Sequence, residues 1–276
     1  MILAAIVVTY HPDINQVKRN IASFADNVDS LMLWDNSEYV VDFSPIQQLY
    51  PNIILLHSGS NQGLPVAYNR ALNVATEKGC THLMTMDQDS FFEDFPEYRR
   101  QLKALRNPSV GIFSCPVNNN STEAGYTNTT VCQSGSVYTI KMLNAIDGFR
   151  NNLFIGMVDA EISLRAMENG YKIYQTTGSN LIHHVGSGRV VKFLGHLIAV
   201  SDYSPLRHYY DSRNRILLWH EFPNDFTLGN KFKHLWSRVK VVTKIALFEQ
   251  NKTAKISSIL SGTWNGLRNK TKAYQH

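Results

Sequence analysis

With 276 residues, 43% apolar and 18% charged side chains, the chain can bury a real core and is excluded from the disordered class. The net charge of +5 hides a division: residues 1–200 hold 14 Lys+Arg against 17 Asp+Glu, and residues 201–276 hold 13 against 5. Three cysteines, Cys80, Cys115 and Cys132, have no metal-type spacing, and their odd number argues against a disulfide framework and for a reducing, cytoplasmic setting.

The N-terminus is apolar but lacks the basic leader of a secretory signal, and no apolar run is long enough to span a bilayer. Residues 3–9 read as a buried strand and residues 14–25 as a helix, with Ile14, Val17, Ile21 and Phe24 on one face. A second strand, 31–34, stops at Asp35-Asn36-Ser37. Residues 46–50 read as a short helix and 53–56 as a third strand. Residues 64–78 read as a helix stopped by Gly79, and 82–86 as a fourth strand ending at Asp87-Gln88-Asp89-Ser90. A helix over 95–105 and a strand over 110–114 complete the regular half.

Strand–helix alternation implies a mostly parallel sheet with right-handed crossovers. Residues 118–130 are Asn/Thr-rich and read as a loop. Beyond it, 131–140 and 171–176 read as strands, and 141–146 and 159–169 as helices. No linker separates two independent domains. The expectation is one α/β domain over 1–192, with halves at about 1–115 and 116–192, followed by a basic, amphipathic helical extension over 193–276.

In open α/β sheets, ligands bind at the carboxyl ends of the strands. Three strands end there in polar groups: Thr9-Tyr10-His11-Pro12, Asp35-Asn36-Ser37 and Asp87-Gln88-Asp89. Two carboxylates one residue apart repel unless a cation compensates, and a hard divalent ion carrying a diphosphate is the simplest compensator. A helix cap is the plainer reading of Asp89 or Ser90. Asp35 can accept from the imide N–H of a pyrimidine, or serve as a turn residue. Asn61-Gln62-Gly63-Leu64-Pro65 reads as a helix entry or as a loop touching a nucleotide, with Asn69 a turn further on. Asp159 and Glu161 suit a helix start through the dipole, or supply a general base. His183-His184 offers one imidazole for a metal. Arg207, Tyr210, Arg213 and Asn214 lie near one helix face, where Arg forks suit diphosphate.

From residue 226 onward there are 10 basic residues and a single acid, Glu249. Trp236, Val239, Val242 (or Thr243) and Ala246 recur there at helical spacing. A basic, amphipathic, Trp-bearing helix fits an anionic membrane surface. A packed helix with a solvated basic face is the alternative. No nucleic-acid module is visible.

In order and spacing these motifs resemble the inverting family-2 nucleotide-sugar glycosyltransferases, from about Ile6 to Gly266. They are Val7-Val8-Thr9-Tyr10-His11-Pro12, Asp35-Asn36-Ser37, Asn61-x-Gly63-x-x-x-Ala67-x-Asn69, Asp87-Gln88-Asp89-Ser90, Ser134-Gly135, Val158-Asp159-x-Glu161-x-x-x-Arg165, His183-x-x-Gly186 and Tyr209-Tyr210-x-x-Arg213-Asn214. The acidic step and the Tyr-Tyr-x-x-Arg-Asn motif point to the rhamnosyl branch. Val158 stands where the family often has a first acid.

The resemblance implies a Rossmann-like GT-A fold that binds a dTDP- or UDP-sugar and Mg²⁺ or Mn²⁺. It implies that Asp35 recognises the base beside Thr9 and Asn61, with Tyr10, Gly63, Asn69 and Gln88 in the same nucleotide-sugar group. Asp87 would lie near the ribose or diphosphate, and Asp89 and His183 would face the metal. Asp159 would be the base and Arg213 would act near the leaving group. Glu161, His184, Tyr210 and Asn214 are left for the acceptor or without a fixed role. The implied reaction is rhamnosyl transfer from dTDP-rhamnose to a polysaccharide or lipid-linked oligosaccharide at the inner membrane face, and self-association is compatible with it. A UDP-hexose donor, a metal-dependent nucleotidyltransferase and a non-catalytic nucleotide-binding protein are the competing readings.

Overall fold

A computed structural model describes residues 1–118, 123–183, 188–193, 195–271 and 273–274. His184 and Gly186 lie outside the described residues, as does part of the expected loop over 118–130. The described chain divides into two units. The first holds Met1–Phe154 and the described residues from 158 to 183. The second holds Ile155–Met157 and the described residues from 188 onward.

In the first unit the elements are β1 (Leu3–Thr9), α1 (Ile14–Ala22), β2 (Ser30–Asp35), α2 (Ser44–Gln47), β3 (Ile54–His57), α3 (Leu64–Glu77) and β4 (His82–Asp87). Next come β5 (Ser90–Phe92), α4 (Phe95–Ala104), β6 (Val110–Ser114), β7 (Gly125–Thr127), β8 (Val137–Thr139), α5 (Ile140–Ala145), α6 (Val158–Glu168), β9 (Lys172–Gln175) and β10 (Leu181–His183). Eight strands form one sheet in the order β3-β2-β1-β4-β8-β6-β9-β7. β1 through β4 pair in parallel, as alternation with helices demands. Every residue of β1 is buried, because helices cover both faces of such a strand.

Helix starts follow capping chemistry. Asp13 accepts from the backbone of Asn15 and Gln16, Asp94 from Glu97, and Thr139 from Met142. Asp94 therefore caps the helix after the acidic step, and that duty falls on neither Asp89 nor Ser90.

The second half departs from expectation. The expected strand over 131–140 shrinks to β8, which runs antiparallel between β4 and β6. β5 and β10 form a separate antiparallel pair. Three-residue strands carry too little periodic signal to be read from sequence.

The second unit holds β11 (Arg189–Phe193), β12 (His196–Val200), α7 (Pro205–Glu221), α8 (Leu228–Phe248) and α9 (Lys252–Leu267). The basic extension is thus not wholly helical, since β11 and β12 pair antiparallel. α7 and α9 meet through glycine. A Cβ on Gly262 would lie 2.3 Å from the carbonyl oxygen of Tyr209, and one on Gly266 would lie 2.9 Å from that of Arg213.

Candidate functional site

The ends of β2, β1 and β4 lie side by side. Thr9 sits opposite Asp35 on one flank, and Val8 opposite Asp87 on the other. Asp35 is 2% exposed. Its Oδ1 accepts from the Ser37 backbone N–H at 3.0 Å and from Thr9 Oγ1 at 3.4 Å. Its Oδ2 lies 3.2 Å from Nδ1 of His57 on β3, a neighbour that the sequence did not single out. Tyr10, one residue beyond Thr9, is 42% exposed and stacks on His11 at 4.0 Å. Gln88 clasps β1 to β4: its Oε1 accepts from the Tyr10 N–H at 2.8 Å, and its Nε2 donates to the Tyr10 carbonyl at 3.3 Å.

Three members of the expected nucleotide group are engaged by the protein itself. Gly63 has φ +79°, and a Cβ there would lie 2.5 Å from the Phe154 carbonyl oxygen. The close approach that requires glycine is therefore to backbone, not to a ligand. Asn61 Oδ1 accepts from the Gly63 N–H at 3.0 Å. Asn69 donates from Nδ2 to the Phe149 carbonyl at 2.7 Å, and its Oδ1 accepts from the Phe149 N–H at 2.8 Å. It clamps a loop where ligand binding was expected.

The acidic step acquires a third member. Asp87, Asp89 and His183 can each present one ligand atom within 4.8 Å of the others. The β5–β10 ladder sets His183 opposite Ser90. His183 Nδ1 lies 2.6 Å from Ser90 Oγ and 3.9 Å from Asp89 Oδ1. Asn118 holds the backbone of His183 from both sides, accepting from its N–H at 2.9 Å and donating to its carbonyl at 2.8 Å. Ser134 Oγ accepts from the Asp87 N–H at 3.1 Å and donates to Ser90 Oγ at 3.0 Å. These supports orient the donors as outer contacts orient metal ligands. Two carboxylates and one imidazole suit Mg²⁺ or Mn²⁺. Asn118 and Ser134 were not legible as supports, because the ladder that recruits them is so short.

Asp159 lies half-buried in the first turn of α6, its Oδ1 accepting from the Ala160 N–H at 2.8 Å. Cys132 reports its neighbourhood. Burial first, then the negative fields of Asp87, Asp159 and Asp89, pushes this thiol up to about 12. One side chain thus feels all three acids. Burial also raises the thiols of Cys80 and Cys115. All three cysteines are free thiols. Iodoacetamide at pH 8 should therefore leave the native protein essentially unlabelled, with thiolate at Cys132 depleted roughly a thousandfold. Mass spectrometry should show three adducts only after denaturation. Rapid native labelling of Cys132 would contradict its enclosure among the acids.

Glu161 is corrected from an acceptor candidate to a structural one. Its side chain is 1% exposed, and its Oε1 and Oε2 accept from Arg165 at 2.6 and 3.0 Å. Arg150 Nε reaches Oε1 at 2.9 Å. Arg165 also donates to the carbonyls of Ile146 and, at 2.7 Å, Gly148.

In the second unit, Arg213 is fully buried. Its Nε and Nη2 donate to Asn214 Oδ1 at 2.9 and 2.7 Å, and its guanidinium lies 4.6 Å from the Tyr210 ring centroid. Burial lowers its pKa from the ordinary arginine value. The expectation of a leaving-group contact gives way to packing. Asn214 donates to the carbonyls of Ile155 and Gly156 at 3.0 and 2.9 Å. Tyr210 is 4% exposed, and its hydroxyl accepts from the Tyr274 N–H at 3.2 Å. Both are likewise used internally.

Residues 5–157, more than half of the chain, match the family described as Glycosyl transferase family 2. A relative from Shigella flexneri, dTDP-rhamnosyl transferase RfbF, is 22% identical over 288 residues, covering 96% of this chain and 95% of its own. Among solved structures, S. aureus TarS 1-349 superimposes with a TM-score of 0.61 at 14% identity, covering 96% of this chain and 81% of that one. The mannosyltransferase PcManGT from Pyrobaculum calidifontis, solved with GDP-Man and Mn²⁺, gives 0.61 at 13% identity, covering 97% and 87%. At such identities the likeness to these structures is one of fold.

Proposed function

The chain belongs to glycosyl transferase family 2, and on that premise we propose that it transfers rhamnose from dTDP-rhamnose, with inversion, to a saccharide hydroxyl carried on a lipid or a growing polysaccharide. It is a glycosyltransferase with a GT-A type fold. That standing removes the nucleotidyltransferase and non-catalytic readings. The observation that carries the proposal is the gathering of Asp87, Asp89 and His183 at one strand edge. The match to RfbF along nearly the whole of both chains supports rhamnose as the sugar.

In this reading Asp35 accepts the imide N–H of the base, and the Tyr10 ring offers it an apolar face. Asp87, Asp89 and His183 would hold Mg²⁺ or Mn²⁺. When bound, that ion supplies positive charge beside the departing diphosphate. Asp159 takes the proton of the acceptor hydroxyl as the oxygen forms its bond to the anomeric carbon. The bond to the diphosphate breaks on the opposite face, so the anomeric configuration inverts.

Thymine and uracil present the same imide edge to Asp35, which keeps a UDP-hexose donor as the second reading. A donor panel separates them. The protein is incubated with Mn²⁺ or Mg²⁺, lipid-linked acceptors and dTDP-rhamnose or UDP-hexoses, and nucleoside diphosphate release is measured. Release fastest with dTDP-rhamnose, lost in EDTA and restored by Mn²⁺, is the expected result. Faster release from a UDP-hexose would transfer the assignment to that donor, and silence with every donor would remove both.

A further inference from the structure

The second unit carries an apolar face for which the chemistry of transfer has no use. Along α8, Leu228 is 85% exposed and Phe232 71%, and Leu235, Trp236 and Val239 are each near half. At about 100° per residue, Leu228, Phe232, Leu235 and Val239 fall within about 60° of one another around the helix, and Trp236 borders them. Lys231 lies on one shoulder of this stripe, and the exposed Lys233 and Lys240 lie on the other. No acidic residue occurs in the helix.

The opposite side is the attached one. His234 and Ile245 are buried, and Arg238 pairs with Asp211 of α7. The His234 ring packs edge-on against Trp219 at 5.3 Å. No described helix is long and apolar enough to cross a membrane. An apolar stripe with lysines on both shoulders and an aromatic at its border matches a helix lying in the plane of a lipid surface, with apolar side chains inserted and ammonium groups at the headgroups.

We propose that α8 docks this protein onto an anionic lipid bilayer. A second copy of the chain is the less suitable occupant, because an acid-free helix would bring lysine fringes against each other. The inference names the membrane partner of a lipid-carried acceptor. It stands apart from the donor assignment, since vesicle binding needs no nucleotide sugar.

The full chain should be sedimented with phosphatidylglycerol-containing vesicles and with pure phosphatidylcholine vesicles. Strong binding is expected only to the first, weakening as salt rises. Brominated lipid should quench part of the tryptophan emission, and Trp236→Phe should remove that part. Lys233→Gln with Lys240→Gln should weaken binding about fivefold per lysine. Phe232→Ser with Val239→Ser should weaken it roughly tenfold or more through lost apolar burial. Both pairs should keep the parent's circular dichroism and donor hydrolysis. The proposal is overturned by absence of binding to either vesicle, by binding that neither pair alters, or by a serine pair that abolishes self-association in ultracentrifugation while vesicle binding persists.

Discussion

Asp159→Asn should lower the transfer rate by a factor of about 10² to 10⁴ while leaving donor affinity near that of the parent. The amide is nearly the same size as the carboxylate. Its oxygen can still accept the Ala160 N–H bond that Asp159 makes in the first turn of α6. What it cannot do is take a proton from an attacking hydroxyl at neutral pH. Single-turnover rates of nucleoside diphosphate release, set beside donor affinity from calorimetry, separate these effects. A fall in kcat at constant affinity assigns proton removal to Asp159. An unchanged rate would place the base on another group and leave Asp159 as a helix-start acid that interacts favourably with the dipole.

Glu161→Ala should act on the fold instead. Glu161 lies two residues further along the same helix and is enclosed with Arg165 and Arg150. Removing its carboxylate leaves the Arg165 guanidinium, whose side chain is only 10% exposed, without its counter-charge. Breaking a buried pair from one side costs about 3–5 kcal/mol. For a unit of this size that corresponds to a fall in Tm of roughly 6–20 °C. Arg165 also holds the carbonyls of Ile146 and Gly148, so the loop before α6 should loosen with it. Thermal unfolding followed by circular dichroism measures the shift. A Tm within a degree or two of the parent would show that the arginines find other partners. The two acids make a controlled comparison, since one substitution should stop chemistry in a folded protein and the other should unfold it.

Much of the first half was legible because its elements are long and periodic. β1 to β4 and the helices between them follow from apolar runs and capping residues, and their parallel register brings Thr9, Asp35 and Asp87 to one edge as read. Gly63 and Asn69 were legible as motif positions but not in their roles. A glycine required by a ligand and one required by the Phe154 carbonyl look identical in sequence. So do an amide that binds sugar and one that clamps Phe149. Arg213 misled for a similar reason, because an arginine between tyrosines reads as a phosphate fork until its burial is known. The supports of the cluster could not be anticipated, since Asn118 meets His183 and Ser134 meets Asp87 and Ser90 only once a three-residue pairing with no periodicity to read has formed.

That pairing also sets an order of assembly. Asp87 and Asp89 belong to β4 and the turn after it, whose parallel partner β1 has already been synthesised when they emerge. His183 arrives more than ninety residues later and is held by a ladder that cannot form before β10 exists. During synthesis the two carboxylates therefore wait without their imidazole, and the cluster is completed only when the whole of the first unit has left the ribosome. A nascent chain stopped between Asp89 and His183 carries both acids but not the imidazole that joins them.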